Sequence, residues 1–126
     1  MINKTRLYDA FGELIYAVAI ADGLIQEEET KVLEEVLEDH PWGKEIQWSF
    51  NYERKKKHNL RDTYFKALDT LKEHGPDPDY KYLIEVLEKV AAASDGFTKK
   101  EGIIISNMQK SLRAHFMEYL NENKLL

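Results

Sequence analysis

Four acidic side chains, arranged in two similar turns, could hold a metal ion. Each turn consists of an aspartate, a glycine and, a few residues further on, a glutamate. Carboxylate oxygens are the ligands that hard divalent cations prefer. The sequence therefore predicts a site for Ca²⁺ or a similar divalent metal, with water completing the shell. The predicted ligands are Asp22 and Glu29 in the first turn, and Asp95 and Glu101 in the second.

The two turns differ from EF-hand loops. In an EF-hand, the acid before the glycine is the third of three ligands spaced two residues apart. The other two positions hold Val18 and Ile20 in the first turn, and Ala91 and Ala93 in the second. None of these side chains offers an oxygen, so one turn alone cannot surround calcium. The predicted site needs both turns, facing each other.

Each of the four acids also has a purely structural interpretation. The stretch from Thr98 to Glu101 has capping-box spacing, and the stretch from Gln26 to Glu29 is a poorer version because glutamine is not a preferred cap. The aspartates end helices, where the macrodipole disfavours a negative charge by roughly 0.3–1 kcal/mol. N–H groups of the following turn would stabilise them there, as would a bound cation. Both interpretations stay open for all four acids.

Apolar residues recur at helical spacing along the chain, with breaks at turn residues. The predicted helices begin near Leu7, Gln26, Trp42, Leu60, Tyr80 and Thr98. Asn59 is a suitable cap for the fourth helix, and the Gly-Pro-Asp-Pro stretch at 75–78 separates it from the fifth. The last helix either continues or breaks and resumes, and no segment alternates as a strand does. We predict an all-α bundle of about six to seven helices.

The two acidic turns belong to a longer internal repeat. When the Asp-Gly pairs are aligned and one residue is deleted after the second, the units at about 7–38 and 78–112 match. The superimposed apolar pairs are Phe11 with Ile84, Leu14 with Leu87, Ala17 with Val90, Ile20 with Ala93, Val32 with Ile104, Leu33 with Ile105, and Val36 with Met108. We expect the units to pack about a pseudo-two-fold axis, which would bring the turns together.

Length and composition predict one helical domain over residues 1–126 and restrict the partner classes. Hydrophobic residues make up 43% of the chain and charged residues 33%, and the absence of cysteine excludes disulfides and thiolate metal sites. The net charge of −5 argues against a nucleic-acid partner. The basic run at 54–57 is typical of a solvated face, and nothing further supports peripheral membrane association. With no secretory signal and no apolar run of ~20 residues, we predict a cytoplasmic protein.

Catalysis is not expected from this sequence. The four histidines lie far apart and form no ligand pair, and no Glu-x-x-His motif is present for a di-iron centre. Neither a nucleophile–base arrangement nor a phosphate-binding loop is recognisable. An alternative to metal binding is a protein-interaction surface in the aromatic middle segment, because aromatic residues dominate binding hot spots. Its candidates, which could equally fill the core, are Trp42, Trp48, Phe50 and Tyr52.

The doubled turn resembles a known motif. Residues 19–29 (AIADGLIQEEE) match the pattern Ala-x-Ala-Asp-Gly-x-Ile-x-x-x-Glu of the tellurite-resistance TerB-like family. The related N-terminal domain of membrane-anchored DnaJ-type co-chaperones has the same pattern. Residues 92–101 (AASDGFTKKE) match with Ser94 in place of alanine and one residue missing. No J-domain and no membrane anchor is recognisable, so the co-chaperone role does not transfer.

The resemblance carries its own expectations. It implies an all-helical bundle with internal two-fold pseudo-symmetry. It also implies an acidic cluster proposed to bind a divalent metal, at Asp22, Glu29, Asp95 and Glu101. Members of the family are linked to tellurite and stress resistance as sensing or scaffolding modules with protein partners, rather than as enzymes.

Overall fold

The computed structural model describes residues 4–21, 23, 25–93 and 99–122, with side chains as far as Met117. Within these residues the regular structure is entirely α-helical, which confirms the all-α prediction. The helices are α1 (Lys4–Ala19), α2 (Glu27–Leu37), α3 (Gly43–Lys56), α4 (Leu60–His74), α5 (Asp79–Ala91) and α6 (Lys99–Glu122). The sequence left open whether the last helix continues or breaks and resumes. In the structure, α6 runs unbroken from Lys99 to Glu122. None of the helices in the described part is long and apolar enough to cross a membrane.

Helix α1 lies at the centre of the bundle. It packs against α3, α4, α5 and α6, and nearly every residue from Leu7 to Ala19 is buried. The helical spacing of Leu7, Phe11, Leu14, Ile15 and Val18 predicts one buried stripe, and that prediction is wrong because the other sides of the helix are buried as well. A helix that contacts neighbours on all sides must be apolar all round. The uninterrupted apolar run from Leu14 to Ala19 is the sequence signal of that position.

A glycine sets the distance between α1 and α3. A Cβ on Gly12 would lie 2.6 Å from the carbonyl oxygen of Ile46 and 2.6 Å from the Cβ of Ser49. The missing side chain therefore lets the two helices approach until backbone meets backbone. The Ser49 hydroxyl donates a hydrogen bond of 2.6 Å to the carbonyl oxygen of Asp9 and joins the helices across this contact.

The helix ends agree with the turn signals in the sequence. The Asn59 side chain accepts from the Asp62 N–H at 3.1 Å, so the predicted N-cap of α4 is confirmed. At its other end, α4 stops at Gly75, where φ is 91°. Helix α3 ends at Lys57, which adopts the left-handed conformation with φ of 55°. The chain therefore turns sharply after α3, which places the end of its basic run beside α1.

Candidate functional site

The structure describes two of the four predicted metal ligands. Asp22 and Asp95 lie outside the described residues. Glu29 and Glu101 lie in the first turns of α2 and α6, and their exposed fractions are only 3% and 2%. The Glu29 Oε1 atom accepts from the Gln26 N–H at 2.9 Å. Glu29 thus makes the backbone contact of a capping box.

The metal site stays a prediction. Among the side chains that are described, no group of three or more histidine, aspartate or glutamate residues is arranged to hold a metal ion. This result does not test the four-acid site, because half of its ligands fall outside those residues. Glu29 and Glu101, which the predicted repeat aligns with each other, are both buried.

The aromatic middle segment divides into two groups with opposite environments. Phe50 is completely buried, and the half-buried Trp42 stacks on Tyr8 with 5.1 Å between the ring centroids. Trp48 and Tyr52 point the other way and are 58% and 43% exposed. The sequence treated these aromatics as one set. Trp48 and Tyr52 are four residues apart and therefore share one face of α3. Phe50 lies between them in sequence, which places it on the opposite side of the helix.

The exposed aromatic pair forms the centre of a basic surface. Trp48 and Tyr52 stack on each other with 5.4 Å between centroids, and the Lys56 Nζ lies 5.8 Å from the centre of the Tyr52 ring. Spacings of three, four and seven residues place two further exposed lysines on the same side of α3. We call this surface the α3 aromatic–basic face; its residues are Lys44, Trp48, Tyr52, Lys55 and Lys56.

A group of carboxylates lies within the bundle between α1, α3 and α4. Glu13 is 8% exposed, and its Oε2 atom lies 3.3 Å from the Lys66 Nζ. Glu53 is 2% exposed and lies 2.5 Å from Nδ1 of His58. The sequence analysis missed these residues. For Glu13 the signal was an acid inside an apolar helix, which becomes informative only when the helix is known to be buried on every side.

Asp9 on α1 lies close enough to Glu13 and Lys66 to feel their charges, and its pKa is raised well above its ordinary value. Burial raises it, and the hydrogen bond and negative charge of Glu45 raise it further, with a smaller contribution from Glu13. Lys66 opposes the shift, and the pKa of Asp9 reaches about 7. Burial likewise raises the pKa of Glu13, against the attraction of Lys66.

A second polar network joins the link before α3 to α1 and α5. The Trp42 N–H donates to Nδ1 of His40 at 2.9 Å, so the proton of the neutral imidazole sits on Nε2. That Nε2 lies 3.2 Å from Oδ2 of Asp79, which also accepts from the Tyr8 hydroxyl at 2.5 Å. Burial, followed by the contact with Asp79, raises the pKa of Tyr8 above its ordinary value. Both ring nitrogens of His40 are engaged, so this network fixes helices in place and leaves no free base.

An apolar groove separates α5 from α6 and has a volume of about 530 Å³. Its floor includes Leu83, Met108 and Leu112, and Phe116 closes one end. The rim carries two glutamates and a lysine on α5, and one arginine on α6. Because the charges are mixed, the groove favours no particular class of charged ligand.

Comparisons with known proteins identify no relative of this chain. No protein-family model matches it, and neither a curated protein nor a solved structure does. The resemblance to the TerB-like family therefore depends on the doubled acidic turn and the apolar repeat alone.

Proposed function

We propose that the protein is a non-enzymatic helical module that binds an acidic segment of another polypeptide through the α3 aromatic–basic face. The observation that carries the proposal is the exposure of Trp48 and Tyr52, which stack on each other with the Lys56 ammonium over the Tyr52 ring. Large aromatic side chains gain roughly 1.5–3 kcal/mol when they are buried. A stacked pair held in water is therefore a ready source of binding energy.

The charge of the face supports an acidic partner. Lys56 lies over the Tyr52 ring, and helical spacing places Lys44 and Lys55 on the same side of α3, in a chain whose net charge is −5. This contrast steers acidic segments toward α3 and repels them from the remaining surface. A long nucleic acid would meet the same repulsion over a much larger area. A short acidic helix with apolar residues on one side fits both features of the face.

Equilibrium binding of synthetic peptides tests this proposal. The probe is a helix-forming peptide with leucines at positions i, i+3, i+4 and i+7 and glutamates elsewhere. Replacing both Trp48 and Tyr52 with alanine is expected to weaken binding about 30-fold or more, since each is a candidate hot spot. Phe65→Ala is the matched control, because Phe65 on α4 is 51% exposed and lies outside the face.

Three results would count against the proposal. The first is an equal loss of affinity in the Phe65→Ala control. The second is equal binding of a peptide in which lysine replaces every glutamate. The third is tighter binding of anionic lipid vesicles or single-stranded RNA than of the acidic peptide, which would place the face in a different class of interaction.

The hydrogen bonds of His40 support a non-catalytic role. A general base needs a free lone pair within reach of its substrate. Of the three histidines that pair with a carboxylate, His40 has the least exposed side chain. Its Nδ1 accepts from the Trp42 N–H, and its Nε2 faces Asp79. The ring is thus held as a structural element.

Divalent metal binding at the two acidic turns is a second candidate function. It is favoured by the burial of Glu29 and Glu101, because a carboxylate in the first turn of a surface helix ordinarily stays in water. An ion shared by the two turns would stabilise the packed arrangement by mass action. A sensing or scaffolding role, as the TerB-like resemblance implies, would follow from such coupling.

The predicted internal repeat has support in the packing. Equivalent positions have matching burial, as Leu14 and Leu87 illustrate in the first helices and Leu33 and Ile105 in the second. A two-fold axis that relates α1 to α5 and α2 to α6 would pair every contact between α2 and α5 with one between α6 and α1. Both of these helix contacts are present. In the described part of the chain α3 and α4 pack chiefly on α1, so a two-fold relation would extend to the repeat units alone.

Thermal unfolding with added metal tests the second candidate. We expect Ca²⁺ at about 100 times its dissociation constant to stabilise the fold by about 2.7 kcal/mol, which raises the Tm by roughly 10 °C. Replacing Asp22 and Asp95 together with alanine should abolish the shift. The matched control replaces Asp39 and Asp69, which are exposed on other parts of the surface. An unchanged Tm in Ca²⁺, Mg²⁺, Mn²⁺ and Zn²⁺ alike would remove this candidate.

A further inference from the structure

A cavity of about 550 Å³ opens between α1, the turn that follows it and the end of α3. It is separate from the α3 aromatic–basic face, because it lies on the inner side of the same helix end. One wall is apolar and is formed by Tyr16, Ile20 and Ile25. The opposite wall is basic and is formed by Arg54, Lys57 and His58.

The basic wall is held in place by its backbone conformation and by contacts with two helices. The left-handed conformation of Lys57 turns the chain back toward α1. There the Tyr16 hydroxyl donates to the His58 carbonyl oxygen at 2.8 Å. The Arg54 Nη1 atom reaches the Thr30 hydroxyl on α2 at 3.4 Å. The wall is therefore assembled from α3 but fixed by α1 and α2.

Among the residues that the structure describes, the lining of the cavity carries the positive side chains of Arg54 and Lys57 and no acidic side chain. Neither Arg54 nor Lys57 forms an ion pair with any residue that the structure describes. The Glu53 carboxylate is 2% exposed, lies 2.5 Å from Nδ1 of His58 and is not part of the described lining. Its negative charge still reaches the cavity, because it adds to the effect of burial in raising the pKa of Tyr16. The carbonyl end of α3 contributes about half a negative charge, which is smaller than the combined positive charge of Arg54 and Lys57.

We propose that this cavity binds a small organic anion that has one carboxylate and a short alkyl body. A guanidinium group matches a carboxylate with two parallel hydrogen bonds, and Lys57 adds a second positive charge from the same wall. The alkyl body would lie against Tyr16, Ile20 and Ile25. A volume of this size is typical of small-molecule sites, which run from about 300 to 1,000 Å³.

A series of straight-chain carboxylates from acetate to octanoate tests the proposal. Each methylene that enters the apolar wall should tighten binding roughly fourfold, as expected from the transfer free energy of a buried CH₂. Titrations followed by NMR should move the resonances of Tyr16, Ile20 and Ile25 progressively. Acetate alone should bind far more weakly than hexanoate.

Two charge-removing variants locate the site. Replacing Arg54 and Lys57 together with glutamine is expected to weaken hexanoate binding at least tenfold. Lys55→Gln with Lys56→Gln removes the same charge from the outer face of the same turn and should leave hexanoate affinity unchanged. All four side chains are exposed, so both variants should unfold at the wild-type temperature.

The opposite results overturn the inference. If both variants lose hexanoate affinity equally, the attraction is to general charge and not to this cavity. If octanoate at its solubility limit moves none of the three resonances, the cavity takes no alkyl carboxylate. Because the Lys55 and Lys56 variant affects the α3 aromatic–basic face alone, neither result bears on the peptide-binding proposal.

Discussion

Replacing Gly12 with alanine is expected to lower the free energy of unfolding by about 2–3 kcal/mol. The new Cβ would lie 2.6 Å from the Ile46 carbonyl oxygen and the Ser49 Cβ, and 2.9 Å from the Phe50 nitrogen. Two of these atoms belong to the backbone of α3 and cannot move aside as the tip of a flexible side chain can. Helices α1 and α3 would have to separate, which loosens packing throughout the core.

The sign of this effect distinguishes close packing from helix propensity. Glycine in a helix interior is ordinarily less stable than alanine by roughly 0.5–1 kcal/mol, so propensity alone predicts that Gly12→Ala is stabilising. Urea unfolding measures the difference, and the Tm should fall by roughly 10 °C. Asn107→Ala on the exposed side of α6 is the control, since it raises propensity without a clash. A Gly12→Ala protein as stable as the wild type would contradict the close approach.

Replacing Asp9 with asparagine is expected to change how stability depends on pH. The pKa of Asp9 rises from its ordinary 3.8 to about 7 on folding. Between these values the folded chain holds a proton that the unfolded chain has released, so wild-type stability falls as pH rises from about 4 to about 7. Because Asp9 is only partly buried, we expect a loss of about 1–2 kcal/mol rather than the full value for this shift.

Asparagine removes the titration while keeping a donor for Glu45. Its amide N–H₂ can replace the protonated carboxyl group in that hydrogen bond, so the variant should match the wild type at pH 4 and exceed it at pH 8. The measurement is the difference between the two urea-unfolding curves across that range. Asp69→Asn on the exposed side of α4 should leave the wild-type pH dependence intact. Parallel profiles for wild type and Asp9→Asn would show that Asp9 has an ordinary pKa.

Local sequence signals predicted the helices well. Asn59 marked the start of α4 because a cap acts on N–H groups two or three residues away. Gly75 marked the end of α4 because a glycine with positive φ stops a helix locally, whatever the rest of the fold. Helical periodicity and turn chemistry both act over a few residues, and they can be recognised without knowing the rest of the fold.

The surroundings of each helix were harder to predict. Glu13 is buried because α1 has neighbours on every side, and a single helix does not reveal how many neighbours it has. The aromatic pair was partly accessible to prediction: Trp48 and Tyr52 are four residues apart, whereas the buried Ile46, Phe50 and Glu53 follow one another at intervals of four and three. Sorting by face instead of by residue type would have separated the exposed pair from the core.

The most direct test of the proposed interaction is an NMR titration that follows the two indole N–H resonances. Trp48 lies on the α3 aromatic–basic face, while Trp42 is half-buried against Tyr8. On addition of the glutamate–leucine peptide, the Trp48 resonance should move and the Trp42 resonance should stay in place. A Trp48 resonance that does not move at saturating peptide, or that moves equally with the lysine version of the peptide, would contradict the proposal.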